Sequence, residues 1–184
     1  MALVTSSVSL SWSIHDSWTE AFVGTRKLVY ELLPSTTFSA KAEDGALCQL
    51  ALVGANHLME IAIYKILLPH TKATGQLSIL TQKLLEQASY HSMLTDWLPT
   101  IAGTQLNLQV EPLLSTETLR KRRNKTIHKS SALATVEMAK AALYAAVHGT
   151  KAFYHHSGTA FPYVSFLQKY PLENEPWFSS IKMP

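Results

Sequence analysis

A chain of 184 residues, 47% apolar and 16% charged, is long enough to bury a core and too apolar to be disordered. The formal charge of +3 names no class of partner, although six of the sixteen Lys and Arg residues fall between Arg120 and Lys129. The one cysteine, Cys48, excludes an intramolecular disulfide; inside Ala46-Leu47-Cys48-Gln49-Leu50 it reads as a buried, inert thiol of a reducing compartment.

In chain order, Met1 to His15 carries no basic residue before its weak apolar stretch and does not read as a signal peptide. A first helix is expected from about Ser13 to Leu33, with Trp18, Phe22, Leu28 and Leu32 inward and Pro34 as its stop. A second runs from about Ala42 to Leu68, ending before Pro69, and is apolar nearly all round, so it should be the central helix. Its Gln49, Asn56 and Glu60 share one side, either a solvated edge or a cleft wall. With His57 and Lys65 they are too many polar groups for a membrane span, which points to a cytoplasmic protein without a membrane partner.

A third helix is expected over Leu77 to Met93, with Leu77, Leu80, Leu84 and Ala88 inward, then a connector from Thr95 to Pro112. A fourth should start near Ser115, capped by Ser115 or Thr116 with Glu117 at the positive end of its dipole, and carry the basic run to about His128. Ser130 to Ala134 reads as a turn. Thr135 caps a fifth helix, whose alanines allow close approach and which Gly158 ends. From Thr159 onward, prolines and six aromatics suggest an irregular tail packed on the rest or on a partner chain. These elements predict an all-α fold, an antiparallel bundle of about five helices forming one domain over residues 1–184.

The chemistry concentrates in Arg120-Lys121-Arg122-Arg123-Asn124-Lys125-Thr126-Ile127-His128-Lys129, with no acidic residue between Glu117 and Glu137. Such a run repels itself and is costly to bury, so it should face solvent or an anion, with phosphate the natural choice. His128 adds a group that takes or gives a proton near neutrality. RNA brings its own 2′-hydroxyl nucleophile. One imidazole and one guanidinium, duplicated by a second subunit, are the minimum kit for cutting it. On a continuous helix Arg123 and His128 lie roughly 140° apart, which favours work across a twofold interface; Asn124 and His128 share a face.

Arg123-Asn124-x-x-x-His128 resembles the R-N-x-x-x-H signature of the HEPN superfamily, all-helical domains of prokaryotic toxins and RNA-processing enzymes. Glu60 to Lys65, in an apolar helix, is similar to that family's E-x-x-x-x-K helix, and Thr74-Gly75-Gln76-Leu77 to its following short helix, with Gln76 in place of a frequent histidine. The likeness spans about residues 42–156. It implies a metal-independent, cofactor-free endoribonuclease of toxin or phage-defence type, working as a homodimer. Arg123 would contact the scissile phosphate, Asn124 hold the geometry and His128 act as acid or base. RNA would also meet Arg120, Lys121, Arg122, Lys125 and Lys129, and toxin members have an antitoxin protein as partner. Ser130 stands where regulated toxins carry a modified tyrosine, which puts that regulation in doubt.

The competing class is a catalytically inactive module that uses the same basic face for nucleic acid or an acidic protein. A third is a metal-binding bundle using His57, His91, His148 or His155, for which the sequence offers only His57-x-x-Glu60 as a paired motif.

Overall fold

A helix leaves its first amides without intrahelical partners, and Asp16 supplies the acceptor: its carboxylate takes the amides of Trp18 (2.8 Å) and Thr19 (3.4 Å). The computed structural model describes residues 16–72, 77–128 and 133–182, with 72, 77–80, 82, 127 and 128 described by backbone alone. The expected start at Ser13, the Gly75-Gln76 segment, Lys129 and Ser130 lie outside the described residues. Every regular element among them is helical.

Helix α1 (Ser17–Lys27) buries Trp18 and Phe22, as its spacing predicts. A π turn (Leu28–Leu32) then follows. Its wider turn rotates the later side chains, so Val29 and Leu33 reach the core while Leu32, expected inward, stays 56% exposed.

Helix α2 (Ala42–Lys72) runs through Pro69 instead of stopping at Leu68. Proline removes one amide donor, but this close to the end few bonds depend on it, and the buried Thr71 hydroxyl donates to the Leu68 carbonyl (2.8 Å). By length and composition its Ala42–Thr71 stretch would suit a membrane span, and half of its most apolar 18-residue window is buried inside the protein.

Helix α3 (Leu77–Gln87) ends six residues before the expected Met93, because Ser89 turns extended and caps α4 (Tyr90–Ser92) through the Ser92 amide. Leu85 is buried, whereas Leu84, expected inward, is half exposed. The connector holds structure of its own: a π turn (Met93–Trp97) and α5 (Leu98–Ala102), ended by Gly103 at φ 74°.

Helix α6 (Leu113–His128) begins two residues earlier than expected. Glu111, not Ser115 or Thr116, serves its first turn, accepting the Ser115 amide at 3.1 Å. Ser115 and Thr116 are themselves buried. Helix α7 (Val136–His156) is capped by Thr135 through the Met138 amide, as expected, and Gly158 follows at φ 71°.

Helices α2 and α7 form the most extensive pairing. Thr37 meets Glu137 and Met59 meets Gly149, so these two run in the same sense. Thr116 beside Gly149, and Arg122 beside Leu133, set α6 antiparallel to α7. The antiparallel arrangement thus holds for α6 and α7 but not for α2 and α7. In the tail, α8 (Val164–Lys169) and a 3-10 turn (Phe178–Ser180) interrupt extended chain. Tyr163 stacks on Trp18 (4.1 Å) and Phe166 meets Phe22 edge-on (5.8 Å), so the aromatics mainly cover α1.

Two glycines set the spacing. A Cβ on Gly54 would lie 2.4 Å from Thr25 Oγ1, and one on Gly149 2.1 Å from Thr116 Cγ2. Gly149→Ala should therefore lose about 1–2 kcal/mol in chemical denaturation, overpacking outweighing the roughly 1 kcal/mol gain in helix propensity. Adding Thr116→Ser, which deletes the opposing methyl, should recover most of it. Unchanged stability in the single variant would show that the two helices are less close than described.

Candidate functional site

The second half of α6 carries the basic run, and the fold treats its members unequally. Three and four residues after Glu117, Arg120 and Lys121 face it across one turn. Arg120 donates Nε to Oε2 (2.8 Å) and Nη2 to Oε1 (2.6 Å), while Lys121 Nζ lies 3.4 Å from Oε1. Burial alone would push Glu117 up, but the Arg120 bonds and the Lys121 charge outweigh it and hold the carboxyl below its ordinary 4.5. The bond to Glu117 likewise raises Arg120.

Arg122 departs from the solvent-facing position expected for the run. It is 9% exposed and donates Nη2 to the Leu133 carbonyl, just before α7. The guanidinium thus keeps one backbone acceptor, while its buried Nε, like that of Arg123, has no partner among the described residues.

Arg123 and Asn124 come together. Both are half-buried, and Arg123 Nη1 donates to Asn124 Oδ1 at 3.1 Å. Among the described residues no carboxylate lies within ion-pair distance of Arg123, and its buried Nε has no acceptor. The Asn124 carbonyl oxygen accepts from Arg123; its expected contact with the His128 imidazole lies outside the described residues. Lys125 is exposed. His128 is the last helical residue and is described by backbone alone; Lys129 lies outside the described residues.

The polar stripe of α2 splits. Gln49 is a solvated edge, whereas Asn56 is buried and donates Nδ2 to Glu60 Oε1 (2.7 Å), leaving its own Oδ1 without a partner among the described residues. His57 Nδ1 stands 3.7 Å from Glu60 Oε2. Tyr90, buried between these elements, donates weakly to Met59 Sδ (3.9 Å). Its phenol is raised, first by burial and then by the fields of Glu60 and Glu117, with Arg120 opposing. The stripe therefore borders the first half of α6.

Lys65, the partner of Glu60 in the family-like helix, is occupied elsewhere, on Asp16 and on the Tyr163 hydroxyl (3.2 Å). Burial and the nearby Asp44 push the Cys48 thiol up to about 11, as suits an inert thiol. Among the described residues no three His, Cys, Asp or Glu side chains converge as metal ligands. Glu117 was assigned to the helix dipole by sequence; its i+3 and i+4 spacing to two cations is the signal that reveals it as their counterion. Nothing local announces the Leu133 carbonyl.

Because Glu117 ionises below 4.5 in the fold, its contribution is complete above that pH and disappears as pH falls through the folded value. Glu117→Gln should cost about 1 kcal/mol at neutral pH and flatten the loss of stability below pH 4.5 in acid titrations of the melting temperature. An unchanged acid slope would remove Glu117 from that role. In comparisons with known proteins, the chain matches no family model, no curated protein and no solved structure.

Proposed function

We propose that this chain is a metal-independent endoribonuclease of the HEPN type, a cytoplasmic homodimer whose two Arg123–His128 segments line one cleft. The observation that carries the reading is Arg123: a half-buried guanidinium with no carboxylate partner among the described residues, braced by Asn124, five residues before the histidine that ends α6. Glu117 pairs with Arg120 and Lys121, and the Leu133 carbonyl engages Arg122, which leaves Arg123 and Lys125, among the described residues of the run, open to an anion. A guanidinium held by its neighbour and free of a competing carboxylate suits contact with one scissile phosphate.

In the reaction, an imidazole takes the proton of the RNA 2′-hydroxyl as that oxygen bonds to phosphorus. The P–O5′ bond breaks, and the imidazolium of the second subunit protonates the departing 5′-oxygen. Arg123 offsets the extra negative charge of the five-coordinate phosphorus. The products are a 2′,3′-cyclic phosphate and a free 5′-hydroxyl. No cofactor enters. Such an activity fits a toxin or phage-defence effector, and in a toxin setting an antitoxin protein is the partner that masks the cleft.

The test is cleavage of a single-stranded RNA in EDTA. Wild-type chain should release 2′,3′-cyclic phosphate ends; His128→Ala and Arg123→Ala should each slow release at least ~100-fold while circular dichroism stays unchanged. If wild-type chain does not cut but binds RNA in a salt-dependent way that survives His128→Ala, the chain is the inactive binding module instead.

A further inference from the structure

Helix α7 buries thirteen of its 21 residues, and the edge it leaves to solvent is chemically ordered. Tyr144, His148, Lys151 and His155 follow one another at intervals of four, three and four, a single line along the helix. The lower part of that line faces the 103–112 segment across a groove of about 580 Å³, within the roughly 300–1,000 Å³ range of small-molecule sites.

The lining is largely apolar, with Leu106, Val110 and Pro112 on the 103–112 side and Ala152 on α7. Lys151 and His155 stand exposed on its rim, and among the described residues neither has a carboxylate at ion-pair distance. Lys151 instead lies over the Phe161 ring (5.8 Å). Glu111, also in the lining, turns one oxygen to the Ser179 hydroxyl and the other to the Ser115 amide, away from the Lys151 and His155 side, although its charge remains. At one end His148 packs against Tyr144 (4.3 Å) and Trp177 (5.5 Å). Burial, then the Lys151 charge, hold it below its ordinary 6.5, so it serves as a neutral aromatic wall.

The far wall is fixed in place. His156 Nε2 donates to the Thr104 carbonyl (2.9 Å), Asn107 Oδ1 accepts the Gln109 amide (3.0 Å), and Glu111 ties the segment to α6 and the tail. Little ordering cost would accompany binding.

We propose that this groove is a second site, binding a small organic anion whose flat apolar body lies on Leu106, Val110 and Pro112 while Lys151 and His155 hold its charged end. A phosphate monoester and a carboxylate share that chemistry. The site is independent of the ribonuclease reading and uses none of its residues.

Isothermal titration of the whole chain with phenyl phosphate and with benzoate tests it. At least one should bind with Kd below about 1 mM, and whichever does names the anion. Inorganic phosphate and benzyl alcohol, each carrying half of the chemistry, should bind at least ~10-fold more weakly. Lys151→Ala and His155→Ala, both at exposed positions, should each weaken binding ~10-fold. Arg123→Ala should leave it unchanged. The proposal fails if neither probe binds with Kd below about 1 mM, if inorganic phosphate binds as tightly as phenyl phosphate, or if both rim variants bind like wild type.

Discussion

The distance between helices α6 and α7 governs much of what this molecule presents to solvent. It is set where Gly149 meets the methyl of Thr116, a contact too close for any side chain on the glycine. From that crossing α6 runs antiparallel to α7 until Arg122 reaches the Leu133 carbonyl. The close approach draws the middle of a strongly basic helix against the core and leaves its last turns at the edge. A larger residue at 149 would lever the two helices apart at their contact and so re-aim Arg123. Interiors packed to crystal-like density transmit such displacements.

The same packing decides which charges are spent inside the protein. The basic run is not one uniform patch: Glu117 pairs with two of its members and a backbone carbonyl engages a third. These contacts leave most of the positive charge in place but fix where three of its side chains point. The contrast with the α7 edge is instructive. There, Lys151 and His155 are fewer and farther from the core but also lack carboxylate partners among the described residues, and they flank an apolar lining. Local pairing, more than the number of donors, determines where an anion finds one unengaged.

Much of the fold was legible because period and capping are local properties. Trp18 and Phe22 at i, i+4 marked the face of α1, and Thr135 with Glu137 marked the start of α7. What the sequence hid are features settled by tertiary contact. The π turn after α1 puts Leu33 and not Leu32 in the core, and Pro69 is carried inside α2 because it stands within one turn of the helix end at Lys72. Glu111 takes the capping work expected of Ser115 because that serine is buried and engaged by the Ser179 amide. At the candidate site the motif Arg123-Asn124 was readable and the two side chains do meet, while the inward turn of Arg122 depends on a loop carbonyl eleven residues away, which no local pattern encodes.

Asp16, Lys65 and Tyr163 form a joint between three distant parts of the chain. The carboxylate caps α1 while also accepting from the lysine and from the tyrosine hydroxyl (3.1 Å), and Tyr163 closes over Trp18. The outer partners are 147 positions apart in sequence. During synthesis α1 is made well before its aromatic cover, which does not exist until Tyr163 has been added. The helix must therefore wait, with Trp18 and Phe22 uncovered on that side, until Tyr163, 147 positions after Asp16, is in place. A nascent chain stalled before that residue would display those rings to any chaperone that recognises apolar surface.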